Sequence, residues 1–210
     1  MKKVLMTLAL VAVAATSAFA QLSVGAGYLS NTQKYTYPTG SNKSETATTP
    51  SSGFYVGGDY TLDLGQGLGV SAGLKGAFLF GKLDKTVTTS NNKLSEIYLA
   101  IPVMANYTYA ISNDFKVFAL AGPSIAFGLS SKYTGHNDLT NNDYTTDRYD
   151  EDAYPSYGKV NVFLGLGAGV DILNTVRVKV GYDIGLLNRT KEDNQKINDA
   201  QLYFGVAYLF

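Results

Sequence analysis

The hydrophobic pattern is clearest between Lys159 and Leu187, where a two-residue period runs twice with a short break between the runs. Val160, Val162, Leu164, Leu166, Ala168, Val170 and Ile172 fall on one face, with Lys159, Asn161, Phe163, Gly165, Gly167, Gly169 and Asp171 on the other. After Asn174 the alternation resumes, with Val176, Val178, Val180, Tyr182, Ile184 and Leu186 set against Arg177, Lys179, Gly181, Asp183, Gly185 and Leu187. Successive side chains of a strand point to opposite faces, so the pattern predicts a hairpin of two strands with a tight turn. Each half is longer than the roughly 9 to 11 residues with which a tilted strand crosses a hydrocarbon core. The second face interleaves five glycines with five charges of both signs, which suits a crowded interior better than a solvated surface. The apolar face is therefore expected to point outward, into lipid.

The same period recurs along the chain. It predicts strands from Leu22 to about Ser30, from Gly53 to Leu64, from Leu68 to Lys82, from Leu94 to Tyr109, from Phe115 to Ser131 and from Ala200 to Phe210. The register is least defined in the strand from Phe115, where Phe118 and Leu120 oppose an already apolar face. Pro102 has no N–H to give to a ladder, so an interrupted pairing or a bulge is expected there. Long polar stretches at 31–52, 83–93, 132–157 and 188–199 read as loops, and they alternate with short turns at 65–67, 110–114 and about Asn174. Eight strands with that alternation predict an all-β fold, an eight-stranded antiparallel up-and-down transmembrane β-barrel with long external loops. A soluble eight-stranded barrel would expose the glycine face to water, and such a surface is too poor in charge to be solvated well.

Residues 1–20 read as a cleaved signal peptide. Lys2 and Lys3 precede an apolar run from Val4 to Ala15, and Ala18-Phe19-Ala20 has the small-residue pattern of a cleavage site, so the mature barrel domain is expected over 21–210. The apolar run is shorter than the roughly 20 residues of a spanning helix. The whole chain carries 17 basic and 17 acidic side chains; without Lys2 and Lys3 the balance is 15 against 17, a net of −2. That balance gives nucleic acid no basic face to bind. There is no cysteine, hence no disulfide framework, thiol nucleophile or thiolate metal site, while 16 tyrosines suit the interfacial girdles of a membrane barrel.

Several stretches resemble a known family, the outer-membrane β-barrel domain proteins that include the PorT-like and OmpX-like small barrels. They are YLAIPVMANY (Tyr98 to Tyr107), AGPSIAFGL (Ala121 to Leu129), FLGLGAGVDI (Phe163 to Ile172), VGYDIGLLN (Val180 to Asn188) and LYFGVAYLF (Leu202 to Phe210). The resemblance implies the fold and residence in the bacterial outer membrane with extracellular loops, and it implies no activity. Phe210, ending an aromatic alternating strand, looks like the signal that barrel-assembly machinery reads during biogenesis.

An eight-stranded barrel is just wide enough for its side chains to fill. The inward set includes Tyr55, Tyr98, Phe163 and Tyr203 and a polar network of Asp59, Lys75, Glu96, Lys159, Asp171, Arg177, Lys179 and Asp183. Both signs are present, so the charges can pair across the lumen as buried charges must. Asp171 and Arg177 are symmetric about Asn174 and should face each other. A plugged polar core is the expected reading, with a narrow channel or transport-associated barrel as the alternative.

A lipid A-modifying enzyme is the weaker alternative. The only histidine, His136, falls in the longest loop with no strand expected to hold it as a base, so no catalytic residue is assigned. That loop carries Asp138, Asp143, Asp147, Arg148, Asp150, Glu151 and Asp152 among Tyr133, Tyr144, Tyr149, Tyr154 and Tyr157. Its carboxylates match no calcium-loop spacing, and no metal or other cofactor is called for. Tyrosines among polar residues suit a protein-binding surface. The expected interaction surface is Tyr133, Tyr144, Asp147, Arg148, Tyr149, Asp150, Glu151, Asp152 and Tyr154. The expected partners are outer-membrane lipid and lipopolysaccharide and an extracellular protein.

Overall fold

The computed structural model describes residues 20–39, 44–82, 93–137, 142–150, 157–192 and 194–210. The leader expected at 1–20 lies outside the described residues apart from Ala20, which already opens the first strand. The strands are β1 (Ala20–Pro38), β2 (Ser44–Gly65), β3 (Leu68–Lys82), β4 (Lys93–Ala110), β5 (Phe115–Asn137), β6 (Asn142–Asp147), β7 (Val160–Ile172), β8 (Val176–Gly185) and β9 (Lys196–Leu209). All pairings are antiparallel, in the order β4-β3-β2-β1-β9-β8-β7-β5-β6, and β4 also pairs with β5. That last pairing closes eight strands into a ring, with β6 as a short flange on β5. Closure leaves no open edge inside the bilayer, where an unpaired backbone group would find no water.

Side chains alternate across the wall as the two-residue period requires. Leu22, Val24, Tyr28, Leu164, Leu166, Phe204 and Val206 are exposed on the outside, while Ser23, Leu29, Tyr55, Tyr98, Phe163, Asp183 and Tyr203 are buried inside. Phe204, Tyr28, Phe54 and Phe78 are successive cross-strand partners over β9, β1, β2 and β3, and form an aromatic row on the lipid face. At the short-turn end Tyr107, Tyr109, Tyr208 and Phe210 make the second aromatic level. The strand from Phe115 keeps its alternation, with Phe118 inward and Ala119 outward, until a bulge opposite Ile97 and Tyr98 shifts the register at Leu129. Past this bulge the odd-numbered residues point inward. Around Pro102 the β3 ladder skips from Ala72 paired with Val103 to Lys75 paired with Ala100, an interruption without a change of register.

The strands run well past the boundaries expected from hydrophobicity. β1 and β2 stay paired through Asn31 with Ser51 and Tyr37 with Glu45, inside the stretch expected to be a loop at 31–52. In the 132–157 stretch β5 continues to Asn137 and pairs with β6, and in the 188–199 stretch β9 begins at Lys196. Of the 83–93 stretch only Lys93 is described, and it belongs to β4. The reason is that above the hydrocarbon layer the outer face no longer needs apolar residues, so the strands continue while their hydrophobic alternation stops. Threonines maintain the β preference there.

The inward glycines are the space in which large inward side chains lie. A Cβ at Gly181 would fall on the Tyr203 hydroxyl and ring, and one at Gly205 on the Tyr55 hydroxyl. A Cβ at Gly73 or Gly165 would strike the carboxylate of Asp59 or Asp183, and one at Gly169 the Phe118 ring. The outward Gly76 has nothing nearer than 4.0 Å. Gly181→Ala is therefore expected to destabilise the barrel by about 1–3 kcal/mol through overpacking, with Gly76→Ala within about 0.5 kcal/mol of the parent. Urea unfolding midpoints of the full chain in vesicles, followed by heat-modifiable mobility, measure both; equal midpoints would contradict the packing argument.

Candidate functional site: the extracellular mouth

The lumen divides into two charged layers. In the lower one, nearer the short turns, Arg177 Nε and Nη2 donate to the two carboxylate oxygens of Asp171, both at 2.8 Å, across directly paired positions of β7 and β8. Lys179 donates to Asp59 at 2.9 Å and Lys75 to Asp183 at 3.4 Å. The Lys75 ammonium also lies 5.7 Å and 5.3 Å from the Tyr55 and Tyr203 ring centroids. Three cations are thus paired with three anions, and Lys116 of β5 stands directly opposite Asp171 at the same level. Above it Tyr98 donates to Gln201 at 2.8 Å.

The upper layer closes the extracellular mouth, and it is built largely from residues that strand periodicity does not reveal. Arg189 Nη1 donates to Glu96 and to Asp199, each at 3.0 Å, and the same guanidinium is fixed by the Gly158 carbonyl at 3.1 Å and 3.0 Å. Asn161 donates to Asp199 at 3.0 Å, and Gln33 donates to the Tyr157 hydroxyl at 2.5 Å. Arg148 donates to Ser131 at 3.3 Å and to Gln33 at 3.2 Å, and its charge lies 4.0 Å from Glu96. Glu96, Asp199, Arg148 and Arg189 are all at most 6 % exposed, two charges of each sign. Pairing of this kind is what makes burial of the four tolerable.

Tyr157 is the hub of this layer. The guanidinium carbons of Arg148 and Arg189 lie 3.6 Å and 3.9 Å from its ring centroid. Two cations cannot share one ring face at those distances, so they occupy both faces, each attracted to the ring quadrupole. The Tyr149 ring stacks at 5.9 Å and its hydroxyl donates to Glu96 at 3.4 Å. Burial raises the Tyr157 phenol well above its ordinary pKa, and Asp199 and Glu96 add to this. It therefore stays protonated and donates to Asp199 at 3.4 Å.

The expected interaction surface is thus divided. Arg148, expected on an exposed loop, is buried in the mouth, because a turn in which Tyr149 N donates to Asp147 Oδ1 at 2.9 Å folds it inward. Tyr149 is half-buried beside it, and Tyr133 turns toward the Arg148 guanidinium at 4.7 Å, since the Leu129 bulge reverses its facing. Tyr144, Asp147 and Asp150 remain exposed, and Glu151, Asp152 and Tyr154 lie outside the described residues, as does Asp138. Lys159, expected in the lumen network, is exposed at the rim with its ammonium 5.8 Å from the Tyr149 ring centroid, because β7 begins only at Val160. The backbone of His136 lies in β5 opposite Asp143, and its side chain lies outside what is described.

Asn161 keeps the inward parity read from the sequence, whereas Gln33, Arg189 and Asp199 are not legible there as inward residues. Asp199 and Gln33 sit on strand extensions that carry no hydrophobic alternation, and Arg189 is on a connection held by its backbone bond to the Ile197 carbonyl at 2.9 Å. A count of charges within the polar connections was the one available signal. Among the described residues the space between the two charged layers is small, about 60 Å³ bordered by Tyr55, Asp59, Lys75, Met104 and Asp183 and about 10 Å³ beneath the mouth layer among Glu96, Tyr98 and Asp199, whereas the short-turn end opens into about 700 Å³ beside Thr61, Asn106, Lys116 and Arg177. The first holds a few waters; the second is at the threshold for one.

No curated protein matches the sequence. Among solved structures the chain is similar to Ail, the attachment invasion locus protein of Yersinia pestis, at 14% identity and a TM-score of 0.41, covering 91% of this chain and 99% of that one. It is similar to Neisserial surface protein A at 13% identity and a TM-score of 0.39, covering 89% and 97%. The outer membrane protease OmpT of Escherichia coli gives 9% identity, a TM-score of 0.48 and coverage of 91% and 97%. An attachment protein and a protease in one set of likenesses assign no activity. The model of the outer membrane protein beta-barrel domain family matches residues 16–191, most of the chain. With that match and the closed eight-stranded ring, the chain belongs to the outer membrane protein beta-barrel domain family and is an integral protein of the bacterial outer membrane.

Proposed function

We propose that this protein is a closed, non-enzymatic barrel that presents a surface for interaction outside the cell. The observation that carries the reading is the mouth layer, in which Arg148, Tyr149 and Tyr157 of the longest connection are drawn into contact with Glu96 and Arg189. Segments committed in this way anchor the connection instead of lining a passage. The small residual volumes argue against a channel. Glu96 and Asp199, the carboxylates best placed for acid-base work at the mouth, are each engaged by Arg189, which argues against hydrolysis there.

What stays available is the hairpin of β5 and β6 above the anchor. β6 is exposed along its whole length. The β1 and β2 hairpin extends similarly, with β2 at 22 residues, about twice what a crossing needs. An extracellular protein is the partner this reading expects, met by the exposed Tyr144 and its polar neighbours. Specificity is expected to lie in such exposed segments held by a rigid wall.

Arg189→Ala is expected to leave Glu96 and Asp199 buried without their shared cation, a loss of about 3–5 kcal/mol for a broken buried pair. A urea midpoint close to the parent would refute this role. In planar bilayers the parent chain is expected to give no stable open channel, and sustained porin-size conductance would overturn the closed reading.

The binding role is tested by trimming only the hairpin tip. Thr134 and Thr145 are directly opposed, so residues 135–144 can be replaced by an Asn-Gly turn that leaves Arg148 and Tyr157 in place. Cells displaying the trimmed barrel should lose capture of extracellular protein and keep heat-modifiable folding. Undiminished capture would place the binding elsewhere.

A further inference from the structure

On the outer wall a groove of about 810 Å³ crosses five strands, from Tyr28 at the level of the aromatic row to the loop-side ends of β3 and β4. Its lining includes Tyr28 of β1, Pro50 and Ser52 of β2, Phe80 and Lys82 of β3 and Lys93 of β4. The strand period fixes which way these residues face. Two residues beyond Phe78 of the aromatic row comes Phe80, 54% exposed, and two further comes Lys82, so one line up β3 passes from lipid-facing rings to a cation.

Lys82 and Lys93 are direct cross-strand partners at the end of the ladder of β3 and β4, and both are exposed. Like charges directly opposite each other across a strand pair are destabilising. Neither lysine makes an ion pair within the described residues. Lys132 adds a third exposed cation diagonal to Lys93, which is paired with Thr134. Asp147, directly opposite Lys132, is exposed, and among the described residues no acidic side chain lines the groove itself.

We infer that this groove is a binding site for the phosphates of outer-leaflet lipopolysaccharide, held between Lys82 and Lys93 with the acyl chains against Phe80 and Tyr28. Three properties select that ligand. The position just beyond the aromatic row is the head-group layer of a barrel wall. The repulsion between two facing ammonium groups is relieved by an anion between them. The same groove has an aromatic floor on its membrane side, which fits an amphiphile and leaves a soluble anion without contacts for half the surface. The site lies outside the lumen and does not depend on the mouth layer or on the β5 and β6 hairpin.

The test uses the full chain refolded in an uncharged detergent at low salt, titrated with fluorescent lipid A carrying both phosphates and with the same lipid A after dephosphorylation. The parent should prefer the phosphorylated form by about tenfold or more, the scale expected of two lysines near a charged head-group layer. Lys82→Gln with Lys93→Gln should erase the preference. Lys34→Gln with Lys196→Gln, which removes two exposed lysines outside the groove, should keep it. Lys93→Gln alone should give an intermediate loss, and serves if the double variant does not refold. A parent without preference, a double variant that retains it, or equal losses in both lysine pairs would each overturn the site.

Discussion

Closure of eight strands into a ring is the constraint on which everything else depends. It satisfies the backbone inside lipid, and at the same time it fixes the width of the lumen. Every second side chain of every strand must then share one narrow volume. The chain meets that demand by pairing large inward residues with glycines: Tyr203 lies over Gly181, Tyr55 over Gly205, Phe118 over Gly169. Glycine costs a strand some conformational entropy, and here the cost is offset by rings and carboxylates that no other residue would admit.

The width of the ring also governs its electrostatics. Charges placed in so narrow a space are out of bulk water and have to be neutralised locally. Each layer does so by ion pairs, Asp59, Asp171 and Asp183 with Lys179, Arg177 and Lys75 below, Glu96 and Asp199 with Arg148 and Arg189 above. The layers differ in how they are assembled. The lower pairs come wholly from strand positions, so register alone brings Arg177 to Asp171. In the upper layer the cations come from connections, and Tyr157 collects them on its two faces. Formation of the upper layer therefore fixes the connections, a coupling that the lower layer lacks.

This difference explains what could be read from the sequence. The ring, its strand number, its inward and outward faces and its alternating short and long connections follow from hydrophobic period, because lipid on one side and glycine packing on the other enforce it. The interruption near Pro102 follows from the missing N–H. Above the membrane the outer wall is wet and the signal vanishes, so the strand extensions containing Gln33 and Asp199 looked like loops. Arg148 looked like part of a solvated acidic run, since nothing in one dimension distinguishes an arginine that turns inward from one that stays in water. Lys159 has the parity of the lumen and its carbonyl still accepts from Gly128 N–H of β5 at 2.6 Å, but its long side chain is exposed at the rim beside Tyr149.

The distribution of committed side chains then narrows where chemistry with the outside can occur. Between the two charged layers the large rings are packed and the charges paired, and the space left there is a few waters in volume. Along the hydrocarbon the outer face is apolar and generic. Among the described residues, polar groups face outward on the β1–β2 and β5–β6 hairpins and on the wall at the ends of β3 and β4. The β5–β6 hairpin sits on a connection already pinned at Arg148 and Tyr157, which limits the conformational entropy it would lose on meeting a partner. The wall at the ends of β3 and β4 sets Lys82 and Lys93 face to face at the end of a ladder, an arrangement that costs stability by itself and that an anion between them relieves.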